Sequence, residues 1–473
     1  MNEIILQEIS EFCRQRGLAE STFGRRAVND GKLASRLRNG GRITTDTLER
    51  IRSFMAQNLG ANGDDAGARR RVLFDAAPTQ SLPVIRMQAP PMATAQVSED
   101  PQRNFRFFDN RQKYLLFVNT CSEKWEVAQR VSLELANIHP RPPAVRVFDA
   151  GVGDGTVLAR VMRSMHDKFP TMPFHIVGKE ISLEDVRLAL QKLPDRFVEH
   201  PSTVVVLTNL AYADAPWLAA KSLSAATSMI WKEVAMDGST AHSFEEQITA
   251  LEPFLAESWK AKVSPTSGNP VYERPVVLVL YRNDHRFLLD QVIPKPGGSV
   301  ADYDLVIASQ PYRARASLEF KARRVLAPLA RALGPGGRMI AIQSYGHDPG
   351  MEIIRKVWPD DDPFVHSRHD LLKETKQELG SAGRDLNFNA YSDQRSLFRY
   401  DMHTLPSEVS SSIGTSTLLA AWNAAVYVAQ VEDDRLSDVN ADRRYVDATR
   451  EVLQQRGGLW FFDESFVISR RRQ

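Results

Sequence analysis

The sequence predicts an α/β protein, a mostly parallel sheet with helices on both faces, preceded by a small all-α bundle. Three observations carry this. From residue 104 onward, short apolar runs such as TVVVL (203–207), VVLVL (276–280) and DLVIA (304–308) alternate with segments of helical period. A glycine-rich turn, GVGDG, follows the apolar run VRVFDA directly. The first 57 residues carry their apolar positions at helical spacing.

The bundle comes first. Ile5, Ile9 and Phe12 mark one helix that Gly17 ends, and Ser21 opens a second with Phe23 and Ala27. Asp30 opens a third with Leu33 and Leu37, and Thr44 to Asp46 a fourth with Leu48, Ile51 and Phe54. Residues 58–103, rich in Gly, Ala, Pro and polar residues, have no sustained period and predict a flexible linker. The third region, 104–473, is predicted to open with a helix carrying Val127, Val131 and Leu135, then strand VRVF (145–148) and the glycine turn. A helix with Val157, Val161, Met165 and Phe169 leads to strand FHIVG (174–178), and Ser182 opens the next helix. TVVVL, VVLVL, DLVIA and MIAI (339–342) supply further strands, and GGLWFFDESFVISRRR predicts two short ones at the end. Two stretches, at about 211–275 and 404–455, exceed what strand connections need and are expected to be insertions.

Composition bounds the function. The 473 residues are 43% apolar and 25% charged with a formal charge of +2, so no global field favours nucleic acid or membrane. Two cysteines, Cys13 and Cys121, cannot build a disulfide framework and fit a reducing compartment. The segment 418–431 is too short for a membrane span, which needs roughly 20 apolar residues, and it is broken by Asn423 and Gln430. A cytoplasmic location without membrane association is expected. His366 and His369, three apart beside Asp370, lack further ligands, and no metal site is assigned.

The chemistry centres on the turn. Gly151, Gly153 and Gly155 stand at alternate positions with Asp149 two residues ahead, so backbone N–H groups can approach a ligand closely. Glu180 ends the second strand, where an acid can accept ribose hydroxyls, and GPGGRMIAI follows a helix downstream. On these residues the chain resembles the class I S-adenosylmethionine-dependent methyltransferases over roughly residues 145 to 345. The resemblance implies a Rossmann-like, seven-stranded sheet completed by the last two strands, and S-adenosylmethionine as cofactor. It implies that Gly151, Gly153 and Gly155 pass under the methionyl part and ribose, that Asp149 orients the amino end and that Glu180 holds the ribose hydroxyls. Asn209, with Leu210, stands where the family meets the adenine. Ser309-Gln310-Pro311-Tyr312 is similar to the family's amine-orienting (Asn/Asp/Ser)-Pro-Pro-(Tyr/Phe) motif, with Gln310 in place of a proline, making Ser309, Pro311 and Tyr312 candidate catalytic residues. Trp231, Glu233 and His242 in the first insertion, and Tyr345, His347 and Asp348 after MIAI, are candidate pocket residues.

The stretch ESTFGRRAVNDGKLASRLRNGGRITTDTLERIRSFM (20–55) resembles the λ-repressor-like helix-turn-helix domains. From Ser21 to Arg42 it carries six basic residues, Arg25, Arg26, Lys32, Arg36, Arg38 and Arg42, against the single acid Asp30, the local excess that phosphate contact requires. DNA is the implied partner, and a homodimer is expected if the domain reads sequence. The leading function is a methyltransferase of unknown acceptor with a tethered DNA-binding or docking module. Two alternatives stand beside it: a transcription regulator using a non-catalytic methyltransferase fold as ligand sensor, and a nucleic-acid amino-group methyltransferase.

Overall fold

The computed structural model describes residues 111–264, 270–403 and 414–472; within the first 55 it describes 5–6, 9–10, 12–13, 20–28, 30, 32–38, 47, 51 and 54–55. The linker expected at 58–103 lies outside the described residues. The chain divides into two units, Met1–Gln96 and Val97–Gln473.

In the first unit, helices α1 (Glu20–Val28) and α2 (Leu33–Arg38) are joined by a tight turn in which Asp30 N donates to Gly24 O at 3.0 Å. A side chain at Gly24 would stand 2.2 Å from Asp30 O, so the turn needs that glycine. Phe12, Phe23 and Phe54 meet edge to face at 5.4 to 6.3 Å over Ile5, Ile9, Leu33 and Leu37, the residues that the helical spacing selected.

In the second unit, strands such as β3 (Thr203–Thr208) and β7 (Val276–Arg282) are buried at every position, because the sheet is covered on both faces. The other strands are β1 (Val145–Asp149), β2 (Phe174–Lys179), β4 (Ile230–Met236), β8 (Tyr303–Ser309), β9 (Leu333–Ser344), β10 (Leu386–Asn389), β11 (Leu397–Asp401) and β12 (Trp460–Arg470). Ten strands form one sheet in the order β10-β12-β9-β8-β1-β2-β3-β7-β4, with β11 paired to the first half of β12. A separate hairpin joins β5 (Ala261–Val263) to β6 (Pro270–Tyr272).

The sheet departs from the expected seven-stranded, mostly parallel arrangement in three ways. The final segment is one 11-residue strand, β12, lying antiparallel between β9 and β10, and not two short ones. Gly-Pro-Gly-Gly lies within the long strand β9 and does not precede it. VVLVL runs antiparallel to β3 and carries β4 as an edge strand, so the first insertion widens the sheet. An all-apolar run does not reveal its direction, which is why the sequence suggested a parallel neighbour.

Five helices matter for the site. Helix α3 (Arg111–Thr120) leads to α4 (Glu123–Ser132), which packs with α5 (Thr156–Lys168) on one sheet face through Val127, Val131, Val157 and Val161. On the same side α6 (Leu183–Gln191) is capped by Ser182, whose Oγ accepts from Asp185 N at 3.2 Å. The second insertion supplies α7 (Thr415–Val428), whose Tyr427 ring lies 4.7 Å from Phe117 of α3.

Candidate functional site

The path of the chain places the site. β1, β2 and β3 run outward in one direction, then the chain returns to lay β8 on the other flank of β1 and continues to β9. Between β1 and β8 the order reverses, and in open α/β sheets ligands bind outside the carboxyl ends of the strands at such a switch point. The glycine turn leaves β1 there, and Ser309 to Tyr312 leave β8 beside it.

Each glycine of the turn answers to a different constraint. Gly155 has φ +80°, and a Cβ there would stand 2.7 Å from Ala189 Cα, so it lets α5 approach α6. Gly153 has φ +53° and donates its N–H to Glu180 Oε2 at 2.9 Å. Gly151 meets only Ser309 O, at 4.0 Å, so its side toward β8 is open. Its N–H donates to Asp149 Oδ1 at 3.1 Å.

Glu180 is buried, and its Oε1 accepts from Ile181 N at 2.8 Å and Ser182 N at 2.9 Å. With Gly153 that fills three of a carboxylate's roughly four acceptor sites, leaving one on Oε2 for a ligand hydroxyl. Burial raises the Asp149 carboxyl to about 7, against its hydrogen bond from Gly151; the nearby Glu180 charge adds to the rise and Lys124 opposes it.

The start of α5 is closed to anions. Asp154 accepts from Thr156 N at 3.3 Å and from Thr156 Oγ1, while Asp154 N donates to Tyr114 Oη at 3.2 Å. Burial alone would raise Asp154, but Thr156, Lys124 and Lys192 outweigh it and hold the carboxyl below its ordinary value. The Asp154 carboxylate, paired with Lys192 Nζ at 3.2 Å, already takes the Thr156 N–H at the helix terminus where a dinucleotide would lay its pyrophosphate.

The remaining candidates separate. Asn209 is buried and holds the start of β7: its Nδ2 donates to Arg274 O at 3.0 Å and its Oδ1 accepts from Val276 N at 2.8 Å. Leu210 is fully buried beside it. Gln310 has φ +47°, a left-handed conformation closed to proline, so this loop cannot be the family's Pro-Pro turn with one residue exchanged. Pro311 O accepts from Tyr212 Oη at 2.7 Å, and the buried Tyr312 donates to Gln343 Oε1 at 3.1 Å. Ser309, Pro311 and Tyr312 therefore do not form an open amine clamp; the Ser309 Oγ is buried without a partner.

Trp231 and Glu233 lie on edge strand β4, four ladder steps or about 19 Å from β1, and leave the expected pocket. Glu233 accepts instead from Tyr281 Oη. His242 is exposed beside Glu246. Tyr345 and His347, with rings 4.7 Å apart, do follow β9 at the carboxyl edge, where Asp348 accepts from Met351 N at 2.9 Å and Phe462 N at 3.1 Å. Asp370 completes a capping box with Ser367.

Sequence reasoning missed Tyr114, Tyr212 and Lys124, which no motif contains. Tyr114 Oη would lie 3.1 Å from a Cβ at Gly153, and Lys124 Nζ stands 5.7 Å from the Tyr114 ring centre. In the first unit Lys32 and Arg38 are exposed, and Arg38 Nη2 pairs with Glu20 at 2.6 Å; the side chains of Arg25, Arg26, Arg36 and Arg42 lie outside the described residues.

No family model matches the chain, and no curated protein matches it. It is similar to the solved structure of geranyl diphosphate methyltransferase in complex with SAM, at 12% identity over 73% of this chain and 85% of that one, with a TM-score of 0.27. It is similar to loganic acid methyltransferase with SAH at 10% identity over 79% and 98%, TM-score 0.30. A [4+2]-cyclase, SpnF, matches at 14% identity over 79% and 86%, TM-score 0.30. Similarity at this level fixes neither a family nor a reaction for this chain. Among the described residues no helix is long and apolar enough to cross a membrane.

Proposed function

We propose that this chain is an S-adenosylmethionine-dependent methyltransferase whose cofactor lies over the turn after β1. One observation carries the reading: the switch-point turn is bonded to the acid that ends β2, while Asp154 bars phosphate from the start of α5. A ligand rich in hydroxyl and ammonium donors fits there, and a dinucleotide does not. Glu180 would hold the ribose hydroxyls through its remaining acceptor site, and Asp149 would take the amino end, ionising as that positive charge arrives. Gly151 and Gly153 would let the methionyl part approach the backbone. Asn209 Oδ1 keeps a second lone pair for the adenine amine, and Leu210 would flank it.

When bound, the cofactor supplies an electrophilic methyl group on a sulfonium. Alignment of an acceptor with that group is then the main task of the protein, and no nucleophilic residue is required. The buried Tyr312 and the left-handed Gln310 speak against the amino-group clamp of nucleic-acid enzymes, so a small-molecule or protein acceptor is the better reading. Transfer of labelled methyl to fractionated cell extract tests it: label in the small-molecule or protein fraction is expected, and label confined to nucleic acid, or none, would overturn it.

We further propose that the N-terminal unit docks on DNA as a dimer through its basic residues. Binding to duplex DNA that falls steeply with added salt, and is lost on deleting residues 1–57, is the expected outcome.

A further inference from the structure

Ser309 and Asp463 lie on the same sheet face as Asp149. Asp149 pairs with Ile307, Ile307 with Ile340, and Ile340 with Val467, so these positions share a face. Two residues further along β8 stands Ser309, and at the end of β9 Ser344 pairs with Asp463 of β12. The row Asp149, Ser309, Ser344, Asp463 thus follows the carboxyl edge across four strands. Asp463 lies three ladder steps from β1, about 14 Å, on the flank away from Glu180.

This far end of the row is polar, buried and incompletely paired. Asp463 is fully buried; its carboxyl accepts from Gln310 Nε2, at 3.4 Å to Oδ1, and from the Ser344 side chain, while its Oδ2 has no hydrogen-bond partner. Gln310 Nε2 also donates to Ser344 Oγ at 3.1 Å. Glu123, at the start of α4, is buried, and its Oε2 makes no hydrogen bond, although Lys124 Nζ lies 3.3 Å away as an ion pair. Asp348 is nearby with both oxygens engaged. Lys124 opposes the rise of the Asp463 carboxyl, and it acts in the same direction on Asp149 and Asp154. Buried carboxylates in excess of their cations are costly unless a ligand brings positive charge and donors. Among the described residues no three His, Cys, Asp or Glu side chains gather to hold a metal ion.

We infer that Asp463 and Glu123 bind a cationic amine group of the methyl acceptor, so that the substrate is an amine-bearing molecule held at the β12 end of the edge. This rests on the reading of the glycine turn as the methyl-donor site. The bound ammonium anchors the substrate and is not itself methylated, because an ammonium has no lone pair. A second atom of the same molecule would face the cofactor near Ser309.

Thermal melting of the full chain tests this, with ethanolamine and 1,5-diaminopentane as probes and propionate and 1-propanol as controls, each with and without S-adenosylhomocysteine. The amines are expected to raise the melting temperature and the controls to leave it unchanged. Asp463→Asn, which keeps the shape and removes the group that ionises when the amine arrives, is expected to raise the half-saturating amine concentration about tenfold or more. Glu123→Gln provides a second variant should Asp463→Asn fail to fold. Equal stabilisation by propionate or propanol, or an amine response unchanged in a folded variant, would overturn the inference. Amine binding that depends on Asp463 in a chain to which S-adenosylhomocysteine does not bind would uphold the site and sink the cofactor reading instead.

Discussion

Asp463 and Glu464 are consecutive acids on β12, both buried, and they point to opposite faces of the same sheet. Glu464 is fully engaged: Gln343 Nε2 donates to Oε1 at 2.7 Å, Arg368 N to Oε1 at 2.9 Å, and Arg368 Nη1 to Oε2 at 3.0 Å. Asp463 accepts a long hydrogen bond from Gln310 and one from Ser344 but keeps an unpaired Oδ2, and burial, with Glu123 and Asp348 adding to it, outweighs Lys124 and Ser344 and pushes its carboxyl well above the usual range. A buried acid whose oxygens are both bonded to its own fold holds the sheet and the following helix together. An acid left short of donors at the switch-point edge has capacity for a ligand.

The largest expected effect breaks the paired side. Arg368 also bonds Tyr391 O at 3.2 Å and pairs with Asp393, so Arg368→Ala strands Glu464 without a counter-charge. A loss of about 3–5 kcal/mol in denaturant unfolding is expected, with cofactor affinity unchanged in the fraction that remains folded. A loss below about 1 kcal/mol would show that the pairing is not what holds this face.

Next comes the loop between the two faces. Gln310→Pro would recreate the Pro-Pro sequence of the amine-orienting motif, yet φ +47° excludes proline and Gln310 N donates to Ile342 O at 2.9 Å. A destabilisation of about 3 kcal/mol is expected, measured by urea unfolding. A neutral or activating substitution would restore the nucleic-acid reading.

A smaller effect belongs to Asp149. Its folded value of about 7 lies above the unfolded one, so the folded chain holds a proton that the unfolded chain releases. Its stabilising contribution is complete below the unfolded value near 3.8 and is lost as pH rises through about 7. Melting temperatures of the ligand-free protein should fall over that interval, and Asp149→Asn should flatten the fall. A melting temperature that rises with pH in the same way for both proteins would contradict this placement.

The glycine turn, its strand and Glu180 were legible in the sequence because they are local: an apolar run, a turn needing positive φ and an acid one strand away. Ser182 could be read as a cap for the same reason. Asp463 was not, since its role depends on its pairing with Ser344, more than a hundred residues earlier, and on which face of β12 it takes. Tyr114 reaches Gly153 from a helix whose sequence signals nothing about the turn. Trp231 and Glu233 were misplaced because an insertion that widens a sheet and one that roofs a pocket look alike in composition. The actual helical cover beside the turn includes α7, packed on α3 through Tyr427 and Phe117. Gln310 stands where a motif suggested proline, and only its backbone angle shows that the loop is built differently.

The central claim is that the β1 turn and Glu180 bind S-adenosylmethionine. Calorimetric titration of S-adenosylmethionine into the full chain and into Glu180→Ala tests it directly. One site per chain is expected, weakened about tenfold to a hundredfold by the substitution, the range for a lost hydrogen bond to a charged group. Absence of binding to the wild-type chain, or equal affinity in a folded Glu180→Ala variant, would contradict it.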